Sequence, residues 1–509
     1  MVLAIGAALV LLSIGGGVFL SMRGTTMDVQ EWSVGGRRFG TLLFWFLLVG
    51  ETFTTFALLG ASQGVFSGGA PGYYVLGTVA LVAPVGYFIV PRIWSAGKRY
   101  GFTTMGDFFS ARFEARWFGA IITVFGILAL LLYTRVQLTG LALILETLLG
   151  PIFPPMVYVF AGGLIVVVFV LIGGMRSAAF VAVVKDILLV VVLLIVALGA
   201  AQAAGVQGLG GIFEQVKVEF PDAATLPGIA GDVATNEWWW MSFLVMTPLG
   251  AFALPHAFQV SYTANSVATI RRNQIIQPLY SLFYIFIIII ALAALITLES
   301  LPPAEANGSL LYFVEGYYPA WVIGILAGCG VLTALVPTAV ILVTASSMFG
   351  SNVVGYIKPE LQKSLVINRL SVFVFAGAAV ILTAFNADAL LTIMTGVYSA
   401  VGQLAPALFL AMLWRRATAA GLTTGAVVGG LIVAIPQLGE VALSVFPAGT
   451  VVGLPALIVN LILAVGVSLL TRPPSDEAIE VGMPLSDSRI PSVSADRLGT
   501  PSNSDVRRK

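Results

Sequence analysis

The sequence predicts an all-α, polytopic membrane protein of about 13 transmembrane helices, and three observations carry that prediction. The chain is 59% hydrophobic and only 10% charged, with a mean hydropathy of +1.00, whereas a soluble domain carries about a quarter charged residues. Apolar runs of about 20 residues, the length that crosses a bilayer as a helix, recur from the first residues to the end of the apolar region. Lysines and arginines gather in alternate loops, as they do where those loops face the cytoplasm.

The runs lie near 2–22, 41–66, 71–94, 118–149, 155–174, 178–203, 239–262, 276–300, 319–347, 370–386, 389–413, 418–435 and 453–471. The first is not read as a cleavable signal peptide. It has no basic n-region and no small-residue cleavage site, and it continues into "MRGTTMD". With the N-terminus outside, the inner loops collect Arg23, Arg37, Arg38, Lys98, Arg99, Arg112, Arg116, Arg176, Arg271, Arg272, Lys358, Lys363, Arg369, Arg415 and Arg416. The outer loops then hold Lys217 among Glu214, Glu219, Asp222, Asp232 and Glu237. The tail 472–509 is rich in proline and serine, reads as disordered and cytoplasmic, and is too short for a catalytic domain. The single cysteine, Cys329, excludes an intramolecular disulfide framework, and the single histidine, His256, argues against a histidine-built zinc or haem site.

Three runs depart from simple spans. The second carries "GETFTTFALLGASQGVFSGG" with Glu51 inside it, the seventh "TPLGAFALPHAFQ" with Pro248, Gly250 and Pro255, and the ninth Pro337 in "TALVPTAVILVTASS". The second and seventh lie five spans apart, an odd number, so they run in opposite directions. Paired Gly/Pro-interrupted spans in two antiparallel halves point to an inverted-repeat transporter with its site at the breaks. The plain alternative is that glycine and proline are common in membrane helices.

"EWSVGGRRFG", "GGMRSAAF", "PHAFQVSYTANSVATIRRN" and "PALFLAMLWRRATAAGLTTGAVVG" resemble the sodium:solute symporter family over nearly the whole chain. Within it, "ALVPTAVILVTASS", "VVKD" and "PHAFQ…RRN" resemble the bacterial monocarboxylate permease branch most. The resemblance implies a five-plus-five inverted-repeat, amino-acid-transporter-like core with one leading helix and further trailing ones. The expected division is a leading helix and first inner loop over 1–40, a first repeat over 41–203 and an outer loop over 204–238. A second repeat follows over 239–413, then trailing helices over 414–471 and the tail. The solute is expected between the broken second and seventh spans, walled by the fourth, ninth and eleventh.

The same resemblance puts Val49 and Thr52 where backbone carbonyls bind sodium. It puts Ala334, Pro337 and Thr338 along the ninth-span segment that supplies the other ligands. One family hydroxyl is then missing at Pro337, and a family carboxylate is replaced by Ala182, with Lys185 and Asp186 one turn on. These departures leave sodium and the proton both open as the coupling ion; no other cofactor is implied.

A carboxylate at mid-membrane costs about 2.5–3.5 kcal/mol on insertion scales, so Glu51 is read either as functional or as the partner of another buried charge. A glutamate held partly out of water can alternate between protonated and charged states, as proton coupling requires. The structural alternative is an ion pair with Arg135, mid-span in "LLYTRVQLTG". Arg135 could instead grip a carboxylate through its two parallel N–H donors. Tyr133 and Gln137, four residues apart, share a helix face more readily than either does with Arg135, and Gln137 is a candidate for the solute site. Thr54 and Thr55 could offer hydroxyls to a small solute or bond their own backbone. His256 could titrate near neutral pH; a hydrogen bond to a carbonyl freed by Pro255 is the expected role. Asn307-Gly308-Ser309 fits a glycosylation sequon.

The function expected is a cation-coupled secondary transporter, not an enzyme, importing a small organic solute by alternating access. A monocarboxylate such as pyruvate or lactate is the leading candidate. A sodium-coupled sugar or amino-acid symporter is the alternative in the same class. A channel would show a repeated pore motif or charged rings, and a receptor for a signalling kinase would carry a cytoplasmic domain; neither is visible. The expected surroundings are a bacterial-type cytoplasmic membrane, with the small solute and the bilayer as partners, no nucleic acid and no obligatory protein partner.

Overall fold

The protein is described by a computed structural model over residues 1–23, 27–230, 235–362, 364–385 and 388–483. Among the described residues the only β-type pairing is an isolated bridge between Phe39 and Ala264; the rest of the regular structure is helical. The helices that build the bundle are α1 (Val2–Met22), α2 (Thr41–Thr52), α3 (Phe56–Gly68), α4 (Ala70–Tyr100), α5 (Arg116–Leu149), α6 (Pro155–Ala203), α7 (Glu237–Ala253) and α8 (Pro255–Ser261). They continue with α9 (Val267–Thr297), α10 (Ala320–Ile357), α11 (Leu365–Ala384), α12 (Leu390–Leu413), α13 (Ala419–Ala434), α14 (Pro436–Leu443) and α15 (Gly453–Leu470).

Among the described residues nine of these are long and apolar enough to span alone, and the bent pairs α2–α3, α7–α8 and α13–α14 raise the number to twelve. The 49 residues of α6 would measure about 74 Å at ~1.5 Å per residue, more than twice the ~30 Å of a bilayer core. They are interrupted at Gly174, whose φ of 58° and ψ of −160° no helix contains. An L side chain is strained at that φ, and the Trp32 ring and carbonyl leave no room for one. The sequence-based figure of thirteen counts α6 as two spans.

Burial orders the bundle. The most apolar window of α10 is 94% buried and that of α1 only 17%, so α10 is the central post and α1 lies at the periphery. Gly6 of α1 meets Gly324 and Gly328 of α10 almost backbone to backbone, the small-residue packing that membrane helices use in place of a hydrophobic drive. The helix Gly208–Glu219 sits in the loop between α6 and α7. That loop folds back far enough for the Ile229 N–H to donate to the Gly68 carbonyl at the end of α3.

One expectation is corrected. The tail is ordered through Met483: Ser475 caps α16 (Asp476–Gly482), which buries Ala478, Ile479, Val481 and Gly482. Gly482 packs against Ala411 and Arg112 there; residues 484–509 lie outside the described residues. The sequon is spent on structure, since Asn307 is buried. Its side chain donates to the Asp388 carbonyl and accepts from the Leu390 N–H, which clamps the start of α12.

Candidate functional site

The two breaks are nearly equal in shape. α2 and α3 are bent by 54°, α7 and α8 by 53°. They differ in how the freed backbone groups are satisfied, and that difference makes the site. At the second break Leu254 leaves the helix at φ −64°, ψ 122°, and Pro255 starts α8 without an N–H that would need a partner. At the first break Phe53 leaves it at φ −88°, ψ 82°, so carbonyls and N–H groups are released in the bundle interior. Each needs a protein partner there.

Neighbouring helices supply them. Lys185 of α6 donates to the Gly50 carbonyl at 2.9 Å and the Phe53 carbonyl at 3.1 Å. Its third N–H meets Asp186 at 2.7 Å, and both side chains are almost wholly buried. Tyr280 donates to the same carboxylate oxygen at 3.4 Å. On the other side of the break, Gln137 of α5 accepts from the Thr55 N–H at 3.2 Å and its hydroxyl at 2.7 Å. Gly50 is required for the approach of α2 to α6: a Cβ there would lie 2.8 Å from that of Ala182 and 3.0 Å from Asp186 Oδ2.

A cavity of about 130 Å³ lies between the two breaks. It is well below the ~300–1,000 Å³ of pockets for drug-sized ligands, so it suits a small solute. Glu51, Thr52 and Thr54 reach it from the first break, His256 from the second, Tyr133 from α5, Gln274, Gln277 and Tyr284 from α9, and Tyr398 from α12. Among the described residues neither lysine nor arginine lines it. Glu51 Oε1 is paired with His256 Nε2 across the cavity, and the Tyr133 and His256 rings pack with centroids 5.4 Å apart. His256 Nδ1 is buried and has no partner among the described residues.

Two pairings differ from those expected. The partner of Glu51 is His256 and not Arg135, because the break turns Glu51 toward α8. Arg135 instead donates to Asp388 at 2.6 Å, at the mouth of α12. His256 correspondingly bonds a carboxylate and not a backbone carbonyl. Arg135, Gln137 and Thr55 are absent from the cavity wall, whereas Glu51, Thr54 and Tyr133 are on it. The Val49 carbonyl accepts the Phe53 N–H at 2.7 Å and the Thr52 carbonyl the Thr54 N–H at 3.2 Å. The Thr338 hydroxyl donates to the Ala334 carbonyl on its own helix. Of the expected walls, α5 and α12 contribute; α10 does not, and α4 and α9 take its place. Tyr398, Tyr284 and the pair Gln274 and Gln277 were not foreseen. The glutamines stand three apart in "RRNQIIQP", a polar face that could have signalled them. Because Asp388 is half exposed, losing its ion pair is worth about 0–1 kcal/mol. Arg135→Ala is therefore expected to shift heat stability in detergent only slightly.

The family model described as sodium:solute symporter family matches residues 32–430. The chain is 33% identical to the uncharacterized symporter YhjB of Bacillus subtilis over 89% of this chain and 95% of that one. It is 26% identical to a monocarboxylate transport permease protein of Rhizobium johnstonii over 80% of this chain and 82% of that one. Among solved structures, a Na⁺-coupled sialic acid symporter in a substrate-bound outward-open state superposes with a TM-score of 0.74. That match has 16% identity and covers 93% of this chain and 99% of the other. Mhp1, a nucleobase-cation-symport-1 family transporter in a closed conformation, gives 0.58 at 14% identity, covering 89% and 97%. These likenesses establish the inverted-repeat transporter fold.

Proposed function

Because the chain belongs to the sodium:solute symporter family, we propose that it is a cation-coupled symporter that carries a small monocarboxylate, such as pyruvate or lactate, into the cell. The observation that carries this reading is the cavity wall. A small anion meets hydroxyls from Thr54, Tyr133 and Tyr398 and amides from Gln274 and Gln277. The one carboxylate that would repel it, Glu51, is already engaged by His256. The same pairing weighs against the amino-acid alternative, because Glu51 is not free to accept an ammonium group. The similarity to the Rhizobium permease supports the same solute class.

In this reading the two breaks are the hinges of alternating access. At the first break, backbone groups are held by side chains from α5 and α6 rather than by their own helix, and at the second Pro255 has no N–H to satisfy, so the half-helices can tilt without breaking a continuous hydrogen-bond ladder. The loops rich in arginine then face the cytoplasm and the N-terminus faces outward, in a bacterial cytoplasmic membrane.

Counterflow tests the solute class without reference to the driving ion. Proteoliposomes preloaded with unlabelled pyruvate are expected to take up labelled pyruvate saturably. Lactate should compete, and glucose or alanine should not. Exchange of alanine or glucose in place of pyruvate would move the assignment to the alternative.

A further inference from the structure

The first break is where sodium would be expected, and two of its freed carbonyls already hold a cationic side chain. An ammonium has three N–H donors and no acceptor. Those of Lys185 go to the Gly50 carbonyl, the Phe53 carbonyl and Asp186, at 2.9, 3.1 and 2.7 Å. The group is a cation at the mouth of a broken helix, coordinated by the kind of oxygen donors a sodium ion would use. The only hydroxyl available from the expected ligand segment of α10, Thr338, donates to Ala334. The carbonyls of Val49 and Thr52 accept from backbone N–H groups. Those oxygens keep lone pairs; what a sodium ion does not fit is the ammonium, against which it would stand in an interior where like charges repel strongly.

We propose that Lys185 is a covalently attached substitute for the coupling sodium ion at this break, so that this chain binds no sodium there and transports its solute without it. The proposal rests on the symport reading above and names one feature of it, the identity of the cation at the break. The neighbours of the ammonium are consistent with a fixed charge. Asp186 neutralises it, Tyr280 of α9 steadies the carboxylate, and Cys329 of α10 is buried nearby. Glu51, from the same turn of α2 as Gly50, is directed to His256 on the far side. The geometry also accounts for the two departures from the family pattern: with an ammonium in place, neither the missing α10 hydroxyl nor the carboxylate replaced by Ala182 is needed to hold a metal ion.

The test is cation-dependent heat stability of the purified, full-length protein in detergent, with sodium chloride titrated against choline chloride at constant ionic strength. The wild type is expected to melt within about 1 °C in the two salts at every pH-matched concentration. Lys185→Ala empties the ammonium position and leaves Asp186 and both carbonyls in place, so it is expected to be stabilised by sodium over choline. A saturable sodium-specific rise in the wild type would overturn the proposal. So would a Lys185→Ala variant that folds and is indifferent to sodium, because the position would then not select for a cation. The wild-type comparison stands by itself if the variant does not purify. No solute enters these melts, so failure of the monocarboxylate reading, seen as absent counterflow, is distinguishable from failure of this one.

Discussion

Lys185→Met is expected to lower stability by about 3–5 kcal/mol, the cost of breaking a buried ion pair from one side. Methionine has nearly the length of lysine, so the loss is one of charge and hydrogen bonds more than of volume. It leaves the Asp186 carboxylate buried without its counter-ion and frees the carbonyls of Gly50 and Phe53 from their donor. An unsatisfied buried acceptor costs about 1–3 kcal/mol. The double variant Lys185→Met with Asp186→Leu removes the uncompensated charge and retains only the carbonyl penalty. It is therefore expected to be more stable than the single variant. Denaturation in detergent checks both. A Lys185→Met protein as stable as Arg135→Ala would show that the ammonium does not hold the break.

Glu51→Gln is expected to reduce pyruvate transport at least ~10-fold, since a hydrogen bond to a charged partner is worth about 1.5–3 kcal/mol. Glutamine keeps the shape of the side chain and one acceptor oxygen but cannot carry or release the charge that faces His256. His256→Ala should be worse, because it exposes the solute to an unpaired Glu51 carboxylate. The two residues touch, so the double variant should lose less than the sum of the single losses. Initial rates of counterflow and of gradient-driven uptake, on variants shown to be folded by gel filtration, measure this. Unaltered rates in Glu51→Gln would make the pair purely structural.

Much of this architecture was legible in the residues. Hydrophobic length reveals a membrane helix directly, and Pro255 and the run from Gly50 to Gly72 break the periodicity where the structure bends, whereas Pro248 lies inside an unbroken helix. The pairings were not legible, because a partner is chosen by the direction of a side chain after the chain has turned. Glu51 and Arg135 are both mid-span charges of opposite sign, which makes them natural partners on a straight helix. The turn at Phe53 sends Glu51 to a histidine on α8, and Arg135 faces the start of α12 instead. Lys185 and Asp186 were visible as a charged dipeptide inside an apolar run and were placed one turn beyond Ala182, with no role read from them. What the dipeptide holds depends on Gly50 lacking a side chain, which brings α2 close enough for its carbonyls to reach the ammonium. The docking of α16 was hidden because a seven-residue amphiphilic segment in a polar tail has too little pattern to read.

Concentrative uptake of labelled pyruvate into proteoliposomes, under an imposed proton gradient or an imposed sodium gradient, tests the central claim most directly. The account predicts accumulation above equilibrium under the proton gradient with choline replacing sodium throughout, and loss of that accumulation in Glu51→Gln. Accumulation that appears only with sodium, or no accumulation of pyruvate under either gradient, would contradict it.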